Sequence, residues 1–271
     1  MIVSTRDPQW LTKTNEAVRL QGYAVVTDIL SPQFCAEARE RMYAAKEKIE
    51  REIGPERIAR SGELGVVRLP LKYEPFLAEF LNLPALHSIL DEVLAPTAIL
   101  HTQNGLILPS ASPDERGVFQ KSFHRDFPRF MNGYRASISV LFAIDAFTEE
   151  NGATLVVPGS HLYGTRPTDD FLAEAAVPGI CPAGSALVFD AMLYHAAGRN
   201  SSGRDRVAIN HQFTLAFFKQ QIDYVRALGD DAVTALPERT QQILGWYTRV
   251  VTSLDEYYVP SEERLYRSGQ G

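Results

Sequence analysis

Short β-rich runs separated by turn residues fill the middle of this chain and limit its possible folds. After residue 98 the sequence contains AILHTQNGLIL, SISVLFAIDAF, ATLVV, SALVF and RVAINHQFTLAFF, with Gly, Pro, Asn and Asp between them. Runs of this length are typical of an antiparallel sandwich or barrel, because a parallel α/β sheet would alternate strands with helices. The sequence therefore predicts a mainly β fold with flanking helices.

The helices are predicted to lie on either side of this β region. Ser31 followed by Pro32 is a typical helix start, Gly54-Pro55 is a typical helix end, and apolar residues between them recur at steps of three or four. A second helix is predicted to begin near Pro84. Both helices have one apolar stripe, so we expect them to pack against the β core.

The length and composition favour one domain. A chain of 271 residues with 45% hydrophobic residues can bury a full core without dividing. We therefore expect a single domain over 1–271. Within it we expect a mainly helical N-terminal part (1–97) that packs on the barrel, a β core (98–218) and a helical or irregular C-terminal tail (219–271).

Charge, cysteine content and hydropathy exclude several classes of function. The net charge of −6 argues against a general nucleic-acid binder, which needs a surplus of Lys and Arg. Cys35 and Cys181 form no zinc-binding pair motif and no disulfide framework, and no apolar run is long enough to span a bilayer. We expect a cytoplasmic protein that acts on a small molecule, without a nucleic-acid or membrane partner.

A candidate metal site is the segment FQKSFHRDF, with His124 and Asp126 two residues apart. In a strand, residues i and i+2 point to the same face, so these side chains could bind one ion. His195 follows the strand-like GSALVFD and could supply a third ligand. Two histidines and one carboxylate are the ligand set of oxygen-activating non-haem iron. A zinc hydrolase is the chemical alternative.

Arg206 lies eleven positions after His195 and begins the run RVAINHQF. Its guanidinium could bind one end of a dicarboxylate through two parallel hydrogen bonds, which a hydrolase would not need. Arg204 is the second candidate, because it lies two residues earlier and would point to the same face of a strand. The alternative is an ordinary surface arginine on an edge strand.

Three motifs carry a family resemblance: HRD at 124–126, ENGATLVVPGSH at 150–161 and HAAGRNSSGRDR at 195–206. With GYAVVTDILSP near the N-terminus, the chain resembles the phytanoyl-CoA dioxygenase-like (PhyH) family of Fe(II)/2-oxoglutarate-dependent oxygenases over roughly 20–215. The resemblance implies a double-stranded β-helix, which is a jelly-roll barrel of the cupin type. It also implies that His124, Asp126 and His195 bind iron and that Arg206 binds the distal carboxylate of 2-oxoglutarate.

The co-substrate site departs from the family pattern at Ala197, where many relatives carry a serine that helps to hold this carboxylate. The candidates for a second donor are Thr154, Ser139 and Asn210. Gln103 is a plausible co-substrate contact, because relatives often have polar side chains on the first strand-like run. An internal hydrogen bond to a neighbouring backbone group is the alternative for these strand residues.

The resemblance implies that O2 and 2-oxoglutarate are consumed, that succinate and CO2 are released, and that a C–H bond is oxidised. Ascorbate is the expected reductant in vitro. The retained Asp126 favours hydroxylation over halogenation, while desaturation, epoxidation and cyclisation stay open. A natural product or an amino-acid-like metabolite is the first expectation for the substrate, and an acyl-CoA or a phosphonate is the second. An inactive or hydrolytic metal-binding β-barrel is the alternative from another class.

Four residues are candidates for substrate contact. Arg68, Lys72 and Lys121 lie in predicted loops, and an excess of cations there would suit a phosphate, phosphonate or carboxylate, although ordinary surface charge is the simpler interpretation. Phe127 could line an apolar pocket, although isolated aromatic residues usually belong to the core.

Overall fold

The computed structural model of the protein describes residues 1–110, 122–127 and 129–270. The strands in chain order are β1 (Ile2–Ser4), β2 (Tyr23–Thr27), β3 (Val66–Arg68), β4 (Ile99–Leu108), β5 (Ser137–Ala143), β6 (Leu155–Val156), β7 (Val177–Pro178), β8 (Ala186–Asp190), β9 (His195–Ala196) and β10 (Arg206–Thr214).

The helices outnumber the strands in residues, although the strands form the centre of the structure. The α-helices are α1 (Trp10–Gln21), α2 (Pro32–Ile53), α3 (Pro55–Arg60), α4 (Pro70–Tyr73), α5 (Pro84–Ile89), α6 (Asp169–Ala175), α7 (Tyr224–Leu228), α8 (Asp230–Thr234), α9 (Glu238–Ile243) and α10 (Leu254–Tyr257). The 3₁₀ segments are Pro75–Asn82, Ser160–Leu162 and Ser261–Glu263, and a π turn spans Leu90–Leu94. None of the described helices is both long and apolar enough to cross a membrane.

Two sheets are present in the described residues. The larger has seven strands in the order β1-β2-β8-β5-β10-β4-β3, and the smaller has three in the order β7-β6-β9. Only β1 and β2 run parallel, while the other pairs are antiparallel, so the large sheet is mixed. The strands β10 and β5 lie in the middle of the large sheet, and both of them carry residues of the candidate site.

The two predicted helices are confirmed. Helix α2 begins where expected, and the Oγ of Ser31 accepts a hydrogen bond from the backbone N–H of Phe34. Helix α5 begins at Pro84 and passes into the π turn that ends at Leu94. Four of the β-rich runs contain the long strands β4, β5, β8 and β10.

The N-terminal part contributes more to the sheet than its sequence predicts. The strands β1, β2 and β3 all come from residues 1–97, and they occupy both ends of the large sheet. Each has three to five residues, so alternation and apolar periodicity give little signal. Their strand conformation depends on pairing with β8 and β4, which are distant in sequence.

The two faces of the large sheet have different roles. One face is covered by helices, and α2 lies so close to it that a Cβ on Gly105 would overlap the Sδ of Met42. Along β10, Val207 and Ile209 belong to this core, while Ala208 belongs to a second core on the other face. The alternation of β10 therefore turns Arg206, Asn210 and Gln212 away from the helices and into a cavity.

Candidate active site

His124, Asp126 and His195 come together at one end of this cavity. One possible ligand atom from each lies within 4.8 Å of those of the other two. The Nε2 atoms of His124 and His195 are 3.8 Å and 3.6 Å from Oδ1 of Asp126. The predicted convergence is therefore present in the structure.

The backbone that carries the first two residues differs from the predicted strand. His124 pairs with His195 in an isolated bridge, with N–H to carbonyl hydrogen bonds of 3.0 Å and 3.1 Å in the two directions. The segment beyond His124 is irregular, and the N–H of Phe127 donates to the carbonyl of Ala191 at 2.9 Å. Contacts with the chain around His195, rather than strand alternation, bring Asp126 beside the two histidines.

Hydrogen bonds from neighbouring groups orient all three side chains. Nδ1 of His124 lies 2.9 Å from the carbonyl of Ser122, and Nδ1 of His195 lies 3.0 Å from that of Leu193. Because a carbonyl only accepts, each Nδ1 is the donor of its hydrogen bond, and each Nε2, which lies near Oδ1 of Asp126, is the possible ligand atom. The Oγ of Ser139 donates a 2.7 Å hydrogen bond to Oδ2 of Asp126.

Burial favours the form of His195 that binds a metal. Desolvation lowers the pKa of this imidazole, although the carboxylate of Asp126 acts in the opposite direction. A neutral imidazole is the form that ligates metals. Two imidazoles and one carboxylate fit a divalent transition metal with open coordination positions.

Arg125 joins the segments that carry the three side chains. Its guanidinium lies 4.2 Å from the centre of the Tyr194 ring, and its Nη2 donates to the carbonyls of Ser160 and Tyr163 at 2.8 Å and 2.7 Å. The Oγ of Ser160 in turn accepts a 2.9 Å hydrogen bond from the N–H of Tyr194. Sequence reasoning did not single out Arg125, although its place between His124 and Asp126 was a usable signal.

The cavity has a volume of about 350 Å³, within the range of roughly 300–1,000 Å³ that is usual for small-molecule sites. Besides the three residues above, the described residues that line it are Glu63, Arg68, Thr102, Asn104, Leu106, Arg125, Leu141, Thr154, Phe189, Ala196, Ala197, Arg206, Asn210, Gln212 and Gln221. Several of the polar lining residues occupy alternate positions of β4 and β10. Those on β10 could have been identified from the sequence, because they are separated from Arg206 by an even number of positions and so lie on the same face of the strand.

Arg206 is a buried cation that faces this cavity. Its side chain is 2% exposed and lies over the ring of Phe147 at 4.4 Å. Its Nε and Nη1 have no hydrogen-bond partner among the described residues. Burial lowers its pKa to about 10, so it stays charged at neutral pH. The edge-strand alternative is wrong, because β10 lies between β4 and β5, and the second candidate Arg204 is exposed and outside the cavity.

The candidates for a second carboxylate donor have different surroundings. Thr154 is buried and lines the cavity, as does Ala197. Asn210 also lines it, and its Oδ1 has no partner among the described residues. The hydroxyl of Ser139 already donates to Asp126, which leaves Thr154 and Asn210 as the available side chains.

Gln103 is placed outside the cavity, contrary to expectation. Its Oε1 accepts from the N–H of Leu71 at 3.2 Å, and its Nε2 donates to the carbonyl of Leu77 and lies 2.9 Å from Nε2 of His211. Strand alternation puts position 103 on the helix-covered face, opposite Thr102 and Asn104. The alternative of an internal hydrogen bond holds for this residue.

Of the residues expected to contact the substrate, one lines the cavity and two others lie outside it. Arg68 lines the cavity, but its Nε and Nη2 each donate a 2.8 Å hydrogen bond to the carboxylate of Glu63. Lys72 is exposed beside the ring of Tyr73 and does not line the cavity. Phe127 packs edge-on against Phe218 and is likewise outside the cavity lining. Lys121 lies outside the described residues.

Comparisons with known proteins agree with this geometry. The sequence model of the phytanoyl-CoA dioxygenase (PhyH) family matches residues 18–208. The chain is 59% identical to the uncharacterized protein Rv1501 of Mycobacterium tuberculosis over 96% of both chains. It is 29% identical to the dioxygenase cdmD of Talaromyces verruculosus over 66% of this chain and 60% of that protein, so it spans less than two thirds of cdmD.

A solved structure shares the fold. The nickel complex of the non-heme monooxygenase ThoJ superposes on 78% of this chain and 80% of its own with a TM-score of 0.61, at 19% identity. This likeness concerns the fold alone, whereas the family model covers most of the chain. The family model and the set of two histidines and one aspartate together support a metal-dependent oxygenase. The chain belongs to the phytanoyl-CoA dioxygenase (PhyH) family.

Proposed function

We propose that the protein is a dioxygenase that depends on Fe(II) and 2-oxoglutarate and oxidises an unactivated C–H bond of a small molecule. The observation that carries the proposal is the buried guanidinium of Arg206 in the same cavity as His124, Asp126 and His195, because its Nε and Nη1 have no hydrogen-bond partner among the described residues. A buried cation without a partner is costly, so its presence indicates an anionic ligand. A zinc hydrolase has no need of this cation.

The proposed iron site consists of Nε2 of His124, Nε2 of His195 and Oδ1 of Asp126. The hydrogen bonds on the opposite ring nitrogens and on Oδ2 of Asp126 support this assignment, since they hold the ligand atoms towards one another. Iron bound with 2-oxoglutarate and O2 would supply the oxidising power for the C–H bond, with release of succinate and CO2. The solved nickel complex of ThoJ agrees with a metal site in this fold.

Arg206 is proposed to bind the distal carboxylate of 2-oxoglutarate through Nε and Nη1, which have no hydrogen-bond partner among the described residues. Phe147 shields one face of the guanidinium, which lowers the local dielectric constant and strengthens the ion pair. Thr154 is the proposed second donor in place of the serine that many relatives carry at the position of Ala197. Its burial in the cavity lining supports this role.

The proposed fold is a single oxygenase domain with a double-stranded β-helix of the jelly-roll type. Two observations support this fold. The small sheet β7-β6-β9 includes the cavity residue His195, and the structure of ThoJ is similar. Hydroxylation is the preferred outcome, because Asp126 leaves no ligand position free for a halide. A cytoplasmic location and a diffusible substrate are proposed as well. The net charge of −6 favours the absence of a nucleic-acid partner.

An anaerobic titration of 2-oxoglutarate into the Fe(II)-loaded protein tests the proposal. We expect a visible charge-transfer band that saturates with one 2-oxoglutarate per chain, and succinate formation after air and ascorbate are added. The variants His124→Ala and His195→Ala should lose iron binding and turnover while they keep the far-UV circular dichroism of the wild type. A protein that binds iron but never forms the band would contradict the assignment.

A further inference from the structure

A row of polar side chains crosses the large sheet on its cavity face. Asn210 of β10 pairs with Asn104 of β4, which in turn pairs with Arg68 of β3. All three line the cavity, and the next row towards the metal ligands consists of Gln212 and Thr102. These two rows form a continuous polar surface, which we call the polar floor, that reaches to the sheet edge at β3.

The polar floor begins at the proposed metal site. Gln212 also pairs with Ser139 of β5, and the hydroxyl of Ser139 donates to Asp126. The cavity surface therefore runs from the carboxylate that would hold the metal to the Arg68–Glu63 pair at the opposite end. A substrate that presents a C–H bond to the metal would lie along this surface.

The floor carries no net charge. The guanidinium of Arg68 donates two hydrogen bonds to the carboxylate of Glu63 and a third, of 2.8 Å, to Oδ1 of Asn104. Arg125 lines the cavity outside the floor, where its guanidinium stacks on the Tyr194 ring and Nη2 donates to two backbone carbonyls, while its buried Nε has no hydrogen-bond partner among the described residues. The floor itself therefore offers no uncommitted cation to a phosphate or a carboxylate on the substrate, because its one cation, Arg68, is paired with Glu63.

The floor does offer uncommitted hydrogen-bonding capacity. Oδ1 of Asn210 is buried and has no partner among the described residues. Side-chain amides both donate and accept, and the Glu63 carboxylate accepts further hydrogen bonds, so the floor matches hydroxyl groups, which also do both. An acyl chain in this place would desolvate the amides without replacing their hydrogen bonds.

We infer that the substrate is an uncharged, polyhydroxylated small molecule, such as a sugar or a sugar-bearing metabolite, that lies on Asn210, Asn104 and the Arg68–Glu63 pair. This inference rests on the proposed function, because it places the oxidised C–H bond beside Asp126. It narrows the expected class of natural products to uncharged ones and differs from the alternative of a phosphate, phosphonate or carboxylate on the substrate.

Binding to the nickel-loaded protein in the presence of 2-oxoglutarate tests this substrate class without turnover. The neutral probes are trehalose, sucrose and methyl α-glucoside, the anionic probes are glucose 6-phosphate and glucuronate, and the acyl probe is octanoyl-CoA. We expect at least one neutral probe to bind measurably by calorimetry, and both anionic probes to bind about tenfold or more weakly than it, since the floor offers their charge no free cation.

Two variants and a matched control make the test specific to the floor. Asn104→Ala should weaken binding of the neutral probe by about 2- to 12-fold, the usual range for one hydrogen bond. Glu63→Gln frees the charge of Arg68 and should strengthen binding of glucose 6-phosphate by about 2- to 5-fold. Lys72→Ala removes a nearby exposed cation outside the cavity and should change neither affinity.

The outcomes separate this inference from the proposed function. Preference for octanoyl-CoA or for the anionic probes, or binding of no neutral probe, overturns the inference. If Asn104→Ala does not fold, Gln221→Ala on the exposed rim replaces it, with the same expected direction. A protein that forms the Fe(II) 2-oxoglutarate band but binds no sugar disproves the substrate class alone, and a protein without the band disproves the proposed function.

Discussion

The guanidinium of Arg125 lies 4.2 Å from the centre of the Tyr194 ring. Arg125 separates two of the proposed metal ligands in sequence, and Tyr194 directly precedes the third, so this stacking fixes the two ligand-bearing segments relative to each other. The hydrogen bonds of Arg125 to the carbonyls of Ser160 and Tyr163 tie a third segment to both. The candidate metal site is therefore held partly by contacts that none of its proposed ligands makes itself.

Arg125→Met should weaken metal binding without removing a ligand. Outer contacts of this kind are worth about 10- to 100-fold in metal affinity, and we expect a loss in that range. Titration with Co(II), followed by its visible spectrum, measures the affinity independently of activity. Arg129→Met, an exposed arginine on the same segment, is the control and should bind Co(II) like the wild type. Equal affinities in the two variants would contradict the positioning role.

Ser139→Ala should lower metal affinity by removing the hydrogen bond to Oδ2 of Asp126. The carboxylate would then be free to rotate, and we expect a loss of about tenfold in the Co(II) dissociation constant. Ser137→Ala is the matched control, because Ser137 lies two residues earlier on β5 and donates to the carbonyl of Phe213 instead. If both variants lost metal equally, general destabilisation of β5 would be the cause.

Arg206→Met should stabilise the protein while it impairs co-substrate binding. Burial lowers the pKa of Arg206 to about 10, and at neutral pH the folded and unfolded states both keep the proton, so the penalty of the buried charge is fully present. We expect the variant to gain about 1–3 kcal/mol of unfolding free energy and a few degrees in Tm without 2-oxoglutarate.

The same variant should bind 2-oxoglutarate about 30-fold to several thousandfold more weakly, which corresponds to about 2–5 kcal/mol for an unpaired buried carboxylate. Arg206→Lys should recover only part of this loss, since an ammonium lacks the planar pair of donors. The charge-transfer titration measures both variants. An unchanged 2-oxoglutarate affinity in Arg206→Met would remove the main support for the co-substrate.

The free energy of unfolding should fall in mild acid, because His211 is buried in its neutral form. Burial among Phe80, Phe142 and Phe213 lowers its pKa to about 3. Because this value is below the ordinary histidine pKa of about 6.5, the unfolded state binds the extra proton between these two pH values. Stability from this group is present above about pH 6.5 and is lost as the pH falls.

Urea unfolding at pH 6.5 and pH 5 should therefore show a loss of about 2 kcal/mol from His211 in the wild type. The variant His211→Phe should lack this part of the decrease, although the half-buried His101 and the buried His195, whose pKa values desolvation also lowers, still contribute. Parallel decreases in the two proteins would show that His211 does not keep its neutral form in the folded state.

The sequence by itself determined the features that depend on neighbouring residues. The cap at Ser31 and the apolar spacing after it define α2 within a single segment. The β-rich runs define the long strands, and the motif HRD with His195 and Arg206 identifies the family and the candidate site. Each of these signals lies in residue types and their spacing along the chain, so it is visible without knowledge of the fold.

The tertiary structure decided which side chains meet. Gln103 and Asn104 are adjacent polar residues on one strand, yet only the second faces the cavity, because pairing with β10 and packing of α2 set the orientation of β4. Arg68 is neutralised by Glu63, and His124 reaches Asp126 and His195 through a bridge between residues 71 positions apart. Such contacts depend on long-range packing and register, which leave no local pattern in the sequence.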